Sequence, residues 1–219
     1  MVKVENIKVR LETPEDYKIV ENLTREAFWD VHVSGCTEHY LMHIIRNSDS
    51  FIKELDIVAE VDGRIVGNIA YTKAKILVDD GSLYNVICFG PISVLPEFQG
   101  IGIGGMLIEH SKNLAKQLGY NAILIYGDPE YYRRYGFVAA ETYGIETPDN
   151  MYAVALQACE LYSGALKNCK GRFYEDKVYE IDESKAIEFD KCFPIKEKHS
   201  ELPSQKRFSE LISMRETRK

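Results

Sequence analysis

No segment of this chain approaches the roughly 20 consecutive apolar residues that a membrane-spanning helix needs, so a membrane partner is not expected. The opening residues, Met1-Val2-Lys3-Val4-Glu5-Asn6, lack the apolar stretch of a secretory signal. A basic surplus is also missing. Lys and Arg number 27 against 34 Asp and Glu, a net charge of -7. Neutralising phosphates takes a basic face, so nucleic acid is not expected as a partner, and a cationic acceptor suits the sign better. The five cysteines, Cys36, Cys88, Cys159, Cys169 and Cys192, are odd in number and far apart, which argues against a disulfide framework and for a reduced, cytoplasmic protein. Repeats and low-complexity tracts are absent. What is present is 219 residues, 45% of them apolar, enough for one well-buried domain.

Apolar periodicity predicts the elements. Ile7-Lys8-Val9-Arg10-Leu11 alternates as a half-buried strand. Thr13-Pro14-Glu15-Asp16 then opens a helix that runs to about Phe28, with Pro at its first position and acids in its first turn. A second helix covers residues 38–46. Residues 57–61 and 64–78 form a hairpin about Asp62-Gly63, with a bend or bulge at Gly67. Another strand, residues 83–94, is expected to be interrupted at Gly90-Pro91. A helix over 102–118 stops at Gly119. Ala122-Ile123-Leu124-Ile125-Tyr126 reads as a central strand buried on both faces. A short helix at 130–135 and a late strand at 151–156 follow. Beyond residue 160 charge becomes dense. Short strands are expected at 171–174 and 177–179, and residues 196–219 read as either a packed arm or a mobile tail. The organisation expected is a main domain over 1–160 and an extension over 161–219 that can belong to the same domain.

Gly100-Ile101-Gly102-Ile103-Gly104-Gly105 satisfies the G-x-G-x-x-G pattern, but the context argues against a dinucleotide fold. The glycines do not turn directly off a first strand, no acid stands at 120–125 to hold a ribose, and the unit lies mid-chain after antiparallel hairpins. A phosphate-binding P-loop needs Gly-Lys-Ser/Thr, and Gly105-Met106-Leu107 has none. Glycines at a helix start still suit an anion. Backbone N–H groups there form a concavity that phosphates approach when no Cβ intervenes. A tight, closely packed strand-to-helix turn is the alternative, but it requires neither Gln99 nor the offset from Pro96.

The wider string, Ile92-Ser93-Val94-Leu95-Pro96-Glu97-Phe98-Gln99-Gly100-Ile101-Gly102-Ile103-Gly104, resembles the cofactor motif of the GNAT superfamily of N-acetyltransferases: a strand, then Pro, then Gln/Arg-x-x-Gly-x-Gly/Ala opening a helix. Gln99, Gly102 and Gly104 fill its positions. The order of elements from about Ile7 to Leu156 is similar, and Gly127-Asp128-Pro129 before a tyrosine-rich turn resembles one branch of predicted acetyltransferases. The resemblance implies an α/β fold with a mixed, mostly antiparallel sheet flanked by helices and splayed at the strand before the loop. Gly90-Pro91 is placed to promote that splay, or marks only an edge or bulge, and the two readings are compatible. Acetyl-CoA is the implied cosubstrate, held by the backbone of Ile92, Ser93 and Val94 and by Gln99, Gly100, Ile101, Gly102, Ile103, Gly104 and Gly105. The expected reaction is direct transfer of the acetyl group to a small-molecule or peptide amine, by a monomer or homodimer. A coenzyme-A-binding sensor without turnover is the rival.

Tyr132 in Tyr131-Tyr132-Arg133-Arg134-Tyr135-Gly136-Phe137 fills the family position whose hydroxyl protonates the leaving thiolate, and a tyrosine pKa near 10 suits that task. Packing is the alternative role for Tyr132; Tyr131 and Tyr135 read as packing residues, and Arg133 and Arg134 as surface charges or as groups that approach the coenzyme's phosphates. An acceptor amine with pKa about 10.4 is neutral in only one molecule in a few thousand at pH 7, roughly 4–5 kcal/mol of barrier, so a base is wanted. Glu60 is the first candidate, with Glu38 and Asp128 behind it. Cys88 is a candidate nucleophile for a two-step route, though a strand cysteine is usually a small hydrophobe. Cys36-x-x-His39-x-x-x-His43 has zinc-like ligand types without a fourth ligand, and no metal is expected. Residues from Lys196 onward are expected to add little to the cofactor site.

Overall fold

The computed structural model describes residues 6–217. The reading of residues 1–5, and residues 218–219 at the end of the extension, lie outside the described residues. In chain order the elements are β1 (Ile7–Leu11), α1 (Tyr17–Phe28), α2 (Glu38–Ile45), β2 (Ile57–Val61), β3 (Arg64–Val78), β4 (Leu83–Val94), α3 (Ile103–Gln117), β5 (Ala122–Tyr126), α4 (Pro129–Tyr132), β6 (Val138–Ala139), β7 (Ile145–Glu146), β8 (Met151–Ala153), β9 (Leu156–Glu160), β10 (Gly171–Tyr174), α5 (Glu183–Asp190), α6 (Pro203–Ser213) and β11 (Arg215–Thr217).

The main sheet runs β1-β2-β3-β4-β5-β9-β6. Its pairings are antiparallel except β4 with β5 and β10 with β7. This is the expected mixed, mostly antiparallel sheet. Side chains alternate across it. On β3 and β4 the Gly67–Val94 pair stands next to the Asn68–Ser93 pair. Ser93 turns to α1, where its hydroxyl donates to Thr24 Oγ1 at 3.1 Å. Gly67 faces α3 so closely that a Cβ there would lie 3.1 Å from Ile103 and from Leu107. The two helices thus cover opposite faces of the core strands.

Two irregularities fall where the sequence has glycine. Val66 is the extra residue of a bulge against β2, beside Gly67. On β4, Gly90 and Pro91 together oppose the single residue Ala70 of β3. The expected interruption of β4 is therefore a bulge, and the strand continues through it to Val94.

Several expected boundaries change. The late strand at 151–156 is two strands in two sheets, β8 paired with β11 and β9 with β5. The turn between them is held by Val154 N–H on Met214 O at 3.0 Å and by Gly127 N–H on Ala155 O at 2.8 Å. Residues 177–179 form a 3-10 turn instead of a strand, because the Asp176 carboxylate accepts from Val178 N–H at 2.9 Å and caps it. The short helix at 130–135 is α4 continued by a tighter 3-10 turn that stops at Gly136, φ 81°.

The chain beyond residue 160 folds back onto the rest. β10 extends the sheet along Lys75–Val78 of β3, the same edge that β2 occupies nearer the start of that strand. Phe173 is fully buried there, worth about 1.5–3 kcal/mol relative to exposure. Buried Arg25 on α1 donates from Nε to Asp190 on α5 at 2.6 Å. Lys196 pairs with Glu26 at 2.6 Å, and Trp29 Nε1 donates to Glu197 O at 2.7 Å. Of the two readings of residues 196–219, the described part is a packed arm.

Candidate active site

The loop after β4 is built on backbone geometry. Leu95 N–H closes on Val66 O at 2.9 Å, and a 3-10 turn at Pro96–Phe98 leads to Gln99. Gly100 and Gly102 have φ of 75° and 97°, a left-handed conformation that favours glycine. Gly102 is the N-cap of α3, and no side chain caps that helix. The first N–H groups of a helix lack intrahelical partners, so this turn presents donors and the positive end of the helix dipole to the cleft in front of it. A Cβ at Gly100 or Gly102 would meet nothing within 4 Å. Gly104 and Gly105 differ. A Cβ there would lie 2.6 Å from the hydroxyl of Tyr131 or of Tyr135 respectively. Backbone conformation accounts for the first pair of glycines and close packing for the second.

β4 and β5 share one register pair, Ile87–Ile123, and then part. A cleft of about 960 Å³ opens along β4 beyond that point. Ile92 and Val94 line it, as do Gln99, Gly100, Gly102, Ile103, Gly104 and Gly105. Ser93 turns its side chain to Thr24, and Ile101 is exposed outside the cleft wall. The Gln99 amide is engaged within the loop, donating to Val94 O at 2.9 Å and pinning the loop to the strand end. Arg134 is exposed at the surface and also lines the cleft with the glycines. Its guanidinium stands over the Tyr131 ring at 4.7 Å.

Asp128 caps α4 by accepting from Glu130 N–H at 2.9 Å. The helix carries the Tyr132 ring against Phe89, Tyr131 and Phe137, with centroids 5.8, 4.9 and 5.6 Å away. A Cβ on Gly127 would lie 2.2 Å from Tyr132 Cε2, so the ring's position requires glycine there. Tyr132 lines the cleft. Burial, then the neighbouring Tyr131 and Cys88, push its pKa above the usual tyrosine value and keep the hydroxyl protonated at neutral pH.

The base candidates separate. Glu60 sits on β2 opposite Lys8 and is bound by Arg10 at 2.6 Å. It is outside the cleft, so the structure does not bring it to Tyr132. Glu38 lines the cleft but is engaged by His32 at 2.8 Å and by Thr37 N–H at 3.0 Å. Asp128 also lines it and is paired with Arg207 of α6 at 3.1 Å. Burial alone raises the Asp128 pKa, but hydrogen bonds from Arg207 and Glu130 N–H outweigh it and the net shift is downward.

Sequence reasoning missed the rest of this end of the cleft. Phe28 and His32 come from the first helix and its exit. Phe208 comes from α6 and stacks on His32 at 4.4 Å. Phe208 brings the segment beyond Lys196 to the cleft wall, away from the glycine loop. Glu175 and Tyr179 come from the turn after β10. The strand at 171–174 was legible, but one acid in a charge-dense segment carries no signal of its own. Cys88 reaches the cleft as a buried thiol whose pKa burial raises well above the ordinary value. Such a thiol is neutral and a poor nucleophile.

His39 and His43 diverge. His43 meets Glu21 at 2.9 Å, while buried His39 lies 3.4 Å from Cys36 and 3.1 Å from Asp190. Burial lowers the His39 pKa and pushes the Cys36 thiol up to about 12. Among the described residues no group of three or more His, Cys, Asp or Glu is arranged to hold a metal ion.

With this geometry in place, residues 53–139 match the acetyltransferase (GNAT) domain. The uncharacterized N-acetyltransferase YjhQ of Escherichia coli K12 is 29% identical to this chain, over 45% of the chain and 70% of that protein. The uncharacterized N-acetyltransferase YhbS of the same strain is 24% identical over 74% of the chain and 92% of that protein. The crystal structure of Escherichia coli YhbS in complex with CoA shares the fold, with a TM-score of 0.70 at 24% identity over 80% of this chain and 92% of that one. A GNAT family acetyltransferase from Brucella melitensis in complex with acetyl-CoA is 27% identical, with a TM-score of 0.62 over 80% of this chain and 98% of that one.

Proposed function

We propose that this chain, which carries a GNAT acetyltransferase domain, is an N-acetyltransferase that takes the acetyl group of acetyl-CoA and passes it directly to the amine of an acceptor. The observation that carries the reading is one cleft that joins an uncapped helix start, a strand edge left open where β4 leaves β5, and the Tyr132 hydroxyl. These residues fit the cosubstrate. The first turn of α3 and Arg134 offer donors and positive charge to a pyrophosphate. The open edge of β4 at Ile92 and Val94 accepts an extended amide-bearing arm as an added strand would. Acetyl-CoA brings a thioester, already reactive toward an amine.

The protein's contribution is then position and protons. Tyr132 holds a proton in the cleft and gives it to sulfur as the thiolate departs. Direct transfer is supported by the neutral, buried Cys88 thiol, which is a poor acyl carrier. Gly127-Asp128-Pro129, where glycine makes room for the Tyr132 ring, is the feature that supports placing the chain in the branch with that segment. A cytoplasmic setting is supported by five cysteines that are all free. The cleft is closed by elements of one chain, which suits either a monomer or a homodimer. Calorimetry with acetyl-CoA, followed by assay of free thiol release with a panel of amines, tests the reading. Binding with amine-dependent thiol release supports it. Binding without release for any amine indicates a coenzyme A sensor.

A further inference from the structure

Among the described residues three carboxylates line the cleft, and two are already engaged: Glu38 by His32 and Asp128 by Arg207. The third, Glu175, has no hydrogen bond or ion pair with any described residue. It stands on the turn after β10, outside the segment that matches the acetyltransferase domain. None of its described neighbours is a cation. They are Cys88 of β4, Tyr126 of β5, Tyr179 of the same turn, and Glu180. Cys88, Tyr126 and Tyr179 are neutral at pH 7, since burial raises all three pKa values.

The turn itself is fastened on both sides. Ser48 donates to Asp176 at 3.1 Å. The Tyr179 hydroxyl donates to Gly90 O at 3.3 Å, at the bulge of β4 beside the parting of the strands. Glu175 is therefore held near the point where β4 opens. Phe28, Val31, Ile181 and Phe208 add apolar lining to the same cleft.

We propose that Glu175 docks the acceptor as an ammonium ion and takes its proton, and that the acceptor is a primary amine on an apolar or aromatic stem. This rests on the acetyltransferase reading above. Glu175 accepts one proton from the ammonium and later passes it to water. The freed lone pair forms the N–C bond as the C–S bond breaks, and the nitrogen loses its second proton to water. The sulfur takes the Tyr132 proton, which water restores. One proton is released per turnover. Glu175 is exposed because its side chain opens into the cleft, yet the protein packed around its carboxyl, with Glu180 adding, pushes its pKa up to about 7. A base near the operating pH is the effective one.

The test is acetyl transfer by the full-length protein to n-propylamine and to trifluoroethylamine at about pH 7.5. The two are similar in size, but only the first arrives protonated. Glu175→Gln is expected to lower kcat/KM for n-propylamine by about 100-fold or more and for trifluoroethylamine by less than about tenfold, with Glu175→Asp in between and acetyl-CoA affinity unchanged. Equal losses for both amines, no loss for either, or no transfer to either amine by a parent protein that binds acetyl-CoA would overturn the assignment. Failure of the parent protein to bind acetyl-CoA would instead remove the acetyltransferase reading itself.

Discussion

The two ends of the cleft are built from different materials. At the end proposed for the cosubstrate, the residues lie within one short stretch, from β4 through the glycine loop to α4, and the backbone does most of the recognition. At the other end, side chains are collected from α1, α2, the turn after β10 and α6, which are far apart in the chain. A backbone site needs particular residue types at fixed spacing, so it leaves a pattern in sequence. A side-chain site assembled across long separations leaves none.

The sharpest way to break this contrast is at Gly102. With φ of 97°, valine there strains the backbone and turns the first N–H groups of α3 away from the cleft. Acetyl-CoA affinity is expected to fall by about 100-fold or more, about 2.7 kcal/mol, in a protein whose circular dichroism is unchanged. Near-normal affinity by calorimetry would mean that the loop is only a turn. Tyr132→Phe comes next. It keeps the ring contacts and loses the proton, so kcat should fall about 10²–10⁴-fold while the Kd for acetyl-CoA stays put. Single-turnover rates separate this from slow product release. A rate within threefold of the parent would leave Tyr132 as packing alone.

The opposite end should respond in stability and acceptor use. Asp190→Ala leaves Arg25 buried without its carboxylate, a loss of about 3–5 kcal/mol. Denaturant unfolding measures it, and the extension should become the first region cut by protease. Phe208→Ala removes the ring stacked on His32. It should raise the acceptor KM several-fold with acetyl-CoA affinity unchanged, and a shift in the latter would mean that the ends are coupled.

The smallest effect expected is a pH shift. Glu180 adds to the raised pKa of Glu175, so Glu180→Gln lowers it. More of the base is then ionised below pH 7, and transfer at about pH 6 should gain a few-fold relative to pH 8. For stability the sign is opposite. A carboxyl with a folded pKa of about 7 against an ordinary glutamate value of 4.5 favours the folded state less as pH rises through that window.

The sequence made the sheet legible because strands such as Ile57–Val61 and Ala122–Tyr126 state their burial in their composition. It made the loop legible because Gln99 and the glycines sit at fixed offsets from Pro96. It misread residues 151–156, where the chain passes from one sheet to another across a two-residue turn that hydrophobic pattern does not mark. Glu60 drew attention as an acid on a strand, but the structure gives that carboxylate to Arg10. Glu175 went unnoticed because its role depends on Gly90 and Ser48 holding its turn, and those contacts span 89 and 128 residues of chain.

The account turns on direct transfer within a cleft that binds acetyl-CoA. Mixing excess protein with isotopically labelled acetyl-CoA and an amine that it acetylates, then measuring the intact mass of the protein and the label in the amine through a single turnover, tests this most directly. The prediction is label passing to the amine in step with free coenzyme A, with the protein mass unchanged throughout. A protein that gains one acetyl group before the amine does, or that holds acetyl-CoA intact beside every amine offered, would contradict it.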